Sequence, residues 1–242
     1  MKKVKYIILG LLVAAQVSTK AQTTANLTFE QVVAKLKAAP DAQILDARSN
    51  EEFLQNHIKD AISADAQAAD FDQTISALLK NKPTFIYAIA NNRSSILAKQ
   101  LRQKGFTQVY EIPGGLSNWI GSGNPIVSVD KKRVPLTKTQ YVGLTNSSPL
   151  VIVDFASRFC GACKKLAPVL DSLKTTAGFT PKIVTVEDYD NPQLARELNI
   201  HVLPTLVLYQ NNKEVWRHSG FISTVQIQQV VNSKTRPVSA AN

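Results

Sequence analysis

The chain has 242 residues, 44% of them hydrophobic, with 10 glycines, 11 prolines, two cysteines and a formal charge of +10. That is long enough for two globular domains and excludes a repeat or low-complexity chain. The positive charge is spread out, with no arginine-rich arm or block of like charge, so no nucleic-acid partner is expected.

The first element in the chain reads as a secretory signal peptide over residues 1–21. Lys2, Lys3 and Lys5 form a positive start, Tyr6 to Ala15 an apolar stretch, and Thr19-Lys-Ala21 places small residues near a cut before Gln22. The apolar stretch falls short of the ~20 residues that cross a bilayer, so no stable membrane insertion is expected. The expected location is periplasmic or secreted, where disulfides persist.

Residues 27–127 show strands alternating with helical patterns, which points to a parallel sheet. Thr28 with Gln31 makes a capping box that opens a helix over Phe29 to Leu36. A strand follows at Ala42 to Asp46, and a helix starts at Glu51 after Ser49-Asn50. Thr84 to Tyr87 is a second strand, followed by a loop from Ala88 to Arg93 and a helix from Ser94 to Lys104. Val109 to Ile112 is a third strand, closed by Pro113-Gly-Gly115.

On Leu45-Asp-Ala-Arg48, Glu51-Glu-Phe53, His57-Ile58, Ala61, Asn92-Arg-Ser94, Gly105-Phe106, Val109-Tyr110, Gly114-Gly115 and Trp119, this region resembles the rhodanese domain. The resemblance implies a parallel sheet with helices on both faces. It also implies a loop in which a cysteine carries a persulfide, stabilised by backbone N–H groups and closed by an arginine. Here Ala88 holds the cysteine's position, with Asn92 and Arg93 following, and no sulfur nucleophile precedes Cys160. Sulfur transfer needs a thiolate, so the domain is expected to be inactive in that reaction and to serve partner binding. Asp46, Arg48 and His57 are expected to order loops.

Residues 128–136, charged and carrying Pro135, read as a linker, and residues 137–236 as a second domain. The apolar run Leu150-Val-Ile-Val153 reads as a strand ending in Asp154. The chain then turns through Ala156 to Phe159 and enters a helix at Cys160-Gly161-Ala162-Cys163. A C-x-x-C pair at a helix start is a redox site. The first cysteine meets free N–H groups and the positive end of the helix dipole, which stabilise a thiolate; the second lies one turn on and can close or resolve a disulfide. Cys160 is expected to be the exposed nucleophile. Zinc is disfavoured because one pair lacks the four ligands that a structural site needs, and no metal or cofactor is expected.

Asp154 six residues before Cys160, Pro168 within the helix, His201-Val-Leu-Pro204-Thr205 and Gly220 make this half resemble thioredoxin. The resemblance implies a fold with a mixed central sheet and a cis peptide at Leu203-Pro204 facing the disulfide. It gives Asp154 the role of proton acceptor for Cys163. Substrate is expected to meet Phe159, Gly161, Ala162, Leu203 and Pro204. Phe159 and Ala156 stand where tryptophan is usual, and Ala162 where proline is usual.

The sequence thus reads as an exported thiol–disulfide oxidoreductase with an inactive rhodanese-like module. It would take a protein or small-molecule disulfide and draw electrons from an exported or membrane donor. The alternative is a rhodanese-like cradle that binds an anion or a protein, with the second domain as a redox switch.

Overall fold

The computed structural model describes residues 27–89, 91–128 and 134–235. The expected signal peptide and most of the linker lie outside the described residues.

The first domain contains α1 (Phe29–Lys37), β1 (Gln43–Asp46), α2 (Asn50–Gln55), β2 (Asn56–Ile58), β3 (Ala61–Ser63), α3 (Phe71–Ser76), β4 (Thr84–Tyr87), α4 (Asn91–Gln103), β5 (Val109–Glu111), α5 (Gly115–Gly121) and β6 (Ile126–Ser128). Four parallel strands make a sheet in the order β3-β1-β4-β5, and β2 pairs antiparallel with β6. Thr28 and Ser49 each close a reciprocal capping box, which fixes where α1 and α2 begin.

Period-two alternation decides which helices each strand residue meets. Phe85 and Tyr87 point into a core shared with Phe29 and Val32 of α1 and Leu116 and Ile120 of α5. Leu45 and Ile86 point the other way, onto Ile75 of α3 and Leu97 and Leu101 of α4. Helices therefore cover both faces of the sheet, as the resemblance implied.

The second domain contains α6 (Lys138–Thr145), β7 (Leu150–Ala156), α7 (Gly161–Lys174), β8 (Lys182–Glu187), a 3-10 turn (Asp188–Asp190), α8 (Pro192–Glu197), β9 (Thr205–Gln210), β10 (Lys213–Ser219) and α9 (Thr224–Thr235). Its sheet runs β10-β9-β7-β8 and is mixed: β7 and β8 are parallel, while β9 is antiparallel to both β7 and β10. Ile152 and Leu208 pack with Leu166 and Leu170 of α7 and with Ile227 of α9. Val151, Val153 and Phe155 face the opposite side.

That opposite side joins the core of the first domain. One apolar cluster holds Phe29, Ile89, Leu116 and Ile120 together with Val153, Phe155, Tyr189, Leu194 and Ile200. The two domains are therefore packed on each other and not merely tethered.

Candidate functional site

β7 delivers Asp154 to the site. Alternation places it on the same face as Ile152, beneath α7, where it is only 6% exposed. Its Oδ2 accepts a 3.4 Å hydrogen bond from Thr185 Oγ1 on the adjacent β8, and its Oδ1 has no hydrogen-bond partner among the described residues. Burial raises the Asp154 pKa from 3.8 to about 6, against the opposing effects of the Thr185 hydroxyl and the Lys174 charge.

Cys160 is the N-cap of α7, and its Sγ accepts a hydrogen bond from the Cys163 backbone N–H at 3.2 Å. Cys160 and Cys163 are joined in a disulfide, with Cα atoms 5.2 Å apart. Oxidised Cys160 is 2% exposed and Cys163 6%, so the expected exposure of Cys160 is not found in this state. The reason is packing: both sulfurs belong to the apolar cluster that includes Leu203 and the partly buried Phe159. Gly161 and Ala162, between the cysteines, are exposed. Leu203-Pro204 is a cis peptide immediately before β9, and Gly220 N–H donates to the Pro204 carbonyl at 2.8 Å.

The sequence did not single out Thr185 or Glu187. Both come from β8, which pairs in parallel with β7 so that Asp154 stands opposite Thr185 and Ala156 opposite Glu187. Glu187 Oε2 accepts the Arg158 N–H at 3.0 Å and so anchors the turn ahead of Cys160. The Arg158 guanidinium lies 4.7 Å from the centre of the Phe159 ring. Asp154, Cys163, Lys174, Thr185 and Glu187 line one cleft beside α7, and Cys160 does not. The buried carboxyl and the inner sulfur thus share an opening to water. The only sequence signal for this pairing was β8 as the next strand after the redox helix.

The loop of the first domain is arranged differently from expectation. The helix begins at Asn91, not Ser94, so Asn92 and Arg93 stand in the first turn of α4 rather than in a loop. Arg93 makes a two-pronged ion pair with Glu52, at 2.6 and 2.8 Å, in place of a free guanidinium closing an anion cradle. That pairing raises the Arg93 pKa. Burial works to raise the Glu52 pKa, but Arg93 and the Ser49 N–H outweigh it and hold Glu52 low. Ala88 is 1% exposed and its carbonyl accepts the Leu116 N–H. A Cβ on Gly115, where φ is +60°, would overlap that same carbonyl, so the glycine is what lets α5 approach.

Asp46 and Arg48 form a fully buried pair at 2.6 Å, and Arg48 Nη2 also donates to the Asn56 carbonyl. Their role is to order the chain after β1. His57 stacks on Phe53 and bonds the Phe53 carbonyl at 2.9 Å, a structural placement. His201, next to the Leu203-Pro204 segment in sequence, does not turn to the disulfide. Its Nδ1 meets Asn118 Oδ1 of α5 at 3.1 Å.

Comparison with known proteins agrees with this geometry. The Thioredoxin family profile matches residues 132–233 and the Rhodanese-like domain profile matches residues 29–122. Thioredoxin from Chlamydia trachomatis is 36% identical over 74 residues, 31% of this chain and 72% of that protein. Thioredoxin from Bacillus subtilis is 33% identical over 86 residues, 36% of this chain and 83% of that protein. The chain belongs to the thioredoxin family.

It carries in addition the rhodanese-like domain, which makes it a thioredoxin-like redox protein of two domains. Thioredoxin X of Arabidopsis thaliana is 29% identical, and the match spans 53% of that protein and 39% of this chain. Among solved structures, the Alr3790 protein from Anabaena sp. is 27% identical over 43% of this chain and 80% of that chain, with a TM-score of 0.39. The rhodanese-like part is 30% identical to the Rhodanese_3 like domain of the same Anabaena protein, over 35% of this chain and 97% of that one, with a TM-score of 0.32.

Proposed function

We propose that the protein is an exported thiol–disulfide oxidoreductase working through the Cys160/Cys163 couple, with a rhodanese-like domain that has no sulfurtransferase activity. The observation that carries this reading is the disulfide seated at the N-terminus of α7, with Cys160 Sγ receiving an α7 N–H and the buried Asp154 lining a cleft with Cys163. Export is supported by the pattern of residues 1–21.

In the reduced protein the helix N-terminus favours the Cys160 thiolate. That thiolate attacks one sulfur of the substrate disulfide. A new S–S bond forms, the old one breaks, and the displaced sulfur leaves as a thiolate that takes a proton from water. Cys163 then gives its proton to ionised Asp154 and attacks Cys160 Sγ, releasing the second substrate thiolate. The substrate gains two electrons, and Cys160–Cys163 returns to the disulfide. The same steps in reverse oxidise a dithiol, and the potential of the couple sets the direction. An exported or membrane dithiol donor would regenerate the reduced form.

Anion capture by the first domain is the weaker reading, because Glu52 already occupies the Arg93 fork. Insulin reduction driven by dithiothreitol tests the main one. Turnover is expected in the wild type and is expected to vanish in Cys160→Ser, while Cys163→Ser should accumulate a mixed disulfide with the substrate. Retention of most activity in Cys160→Ser would refute the assignment.

A further inference from the structure

The segment between α8 and β9 leads directly into Leu203-Pro204, and its ties lead to two different places. Within its own domain, the Ile200 N–H donates to the Ala195 carbonyl at 2.8 Å and the Leu198 carbonyl accepts from Arg217 at 2.7 Å. Thr205 Oγ1 holds the Val202 carbonyl at 2.6 Å. The middle of the segment is held from outside, by α5 of the rhodanese-like domain.

Two contacts do this. Gly121, at the end of α5, lies against the Ile200 carbonyl so closely that a Cβ there would overlap the oxygen and press on the His201 ring. Gly121 is helical and needs no left-handed backbone, so the contact alone requires glycine at this position. The second contact is polar. His201 Nδ1–H donates to Asn118 Oδ1 at 3.1 Å, while the Asn118 amide donates to the Pro113 carbonyl at 3.1 Å and so aims the oxygen at the histidine. Ser122 Oγ donates to the same oxygen at 3.2 Å.

The neighbouring surface makes α5 a fixed support. Tyr189 of the second domain is buried in the junction: its hydroxyl meets Ser117 Oγ of α5 at 3.3 Å and its carbonyl accepts from Asn56 Nδ2 at 3.0 Å. Gln55 Nε2 donates to Asp190 Oδ1 at 2.8 Å. A helix held at several points in a shared core transmits position, since packed interiors deform little.

We propose that the rhodanese-like domain is a positioning element of the disulfide-exchange site: through Gly121 and Asn118, α5 sets the Ile200–Leu203 segment, and with it the edge that receives an extended peptide disulfide substrate. The inference rests on the reading that substrate docks beside Leu203-Pro204 and deepens it by assigning the docking edge to both domains. Asn118, Gly121 and His201 are positioning residues; none of them is placed at the reacting sulfurs.

The test uses the full chain with Gly121→Ala, Asn118→Ala and Asn118→Asp. KM for insulin is expected to rise about tenfold in Gly121→Ala and by less in Asn118→Ala, as displacement of a docking edge requires. Asn118→Asp keeps an acceptor for His201 but loses the donor to the Pro113 carbonyl, so its KM is expected to lie between those of the wild type and Asn118→Ala. The rate at which iodoacetamide alkylates the reduced wild-type and variant proteins should agree within about twofold, because the α7 N-terminus that stabilises the Cys160 thiolate is untouched. Hydrogen exchange at the Ile200 amide supplies a readout independent of activity, and protection there should fall in Gly121→Ala.

Unchanged KM in both alanine variants would overturn the proposal, as would a fall in alkylation rate that matches the loss of turnover. Unchanged Ile200 protection in a folded Gly121→Ala protein would also overturn it. Absence of insulin reduction by the wild type would instead refute the exchange reading, and the Ile200 exchange rate would still decide whether α5 positions the segment.

Discussion

Replacing Asp154 by asparagine should make the stability of the oxidised protein, relative to wild type, rise with pH. Asp154 is buried, one of its oxygens is unpaired, and its pKa rises from 3.8 to about 6. The folded chain therefore binds this proton more tightly than the unfolded chain does. The stabilising effect of the protonated form is fully present below the unfolded value and is lost as pH rises toward the folded value. A rise of about two units corresponds to ~3 kcal/mol of instability once the group is forced to ionise, which is complete by about pH 8. At about pH 5 the same relation leaves ~1.6 kcal/mol. Asparagine removes the titration but buries an amide with an unmet N–H, an offset of ~1–3 kcal/mol that does not vary with pH. The stability of Asp154→Asn relative to wild type should therefore rise by ~1.4 kcal/mol between about pH 5 and about pH 8. Burial of Asp188, with its pKa raised to about 8 by desolvation and then by Glu187, adds a similar slope to both proteins and cancels in the difference. Urea unfolding of the oxidised proteins at the two pH values measures this directly. The same variant should release substrate from the mixed disulfide about a hundredfold more slowly, because Cys163 loses its proton acceptor. A stability difference that is flat with pH would mean that Asp154 titrates as an exposed acid and that the desolvation argument is wrong.

Arg48→Ala should cost ~3–5 kcal/mol, since it leaves the Asp46 charge buried without its partner. Asp46→Ala combined with Arg48→Met should cost much less in the same denaturation experiment. Wild-type protein should form no thiocyanate from thiosulfate and cyanide, and Ala88→Cys should not restore the reaction. Position 88 is 1% exposed and lies under α5, so alkylation of the new thiol should be much slower than unfolding-independent labelling of a surface cysteine. Rapid labelling at residue 88 together with thiocyanate formation would show that α5 leaves the loop open.

Much of this architecture is local chemistry and was legible in the residues. Thr28 and Ser49 announce their helices because each capping box is closed within four residues of chain. The C-x-x-C pair announces the redox site because a helix N-terminus acts on the residue that caps it. The run Leu150–Val153 announces a buried strand, and hence a perturbed carboxyl at Asp154, because burial on both faces leaves no place for polar residues.

What the residues left open depended on pairing between segments far apart in the chain. Thr185 and Glu187 become part of the site only through the parallel register of β7 and β8. Arg93 reads as the arginine of an anion loop until Glu52, 41 residues away, occupies it. His201 stands beside Pro204 in sequence, and only the docking of α5 against α8 turns it away from the disulfide and toward Asn118. Helix caps and strand periodicity are set by neighbours a few bonds away, so one sequence determines them. The partners of Asp154, Arg93 and His201 are set by how two cores close on each other, and that closure is a property of the packed tertiary structure.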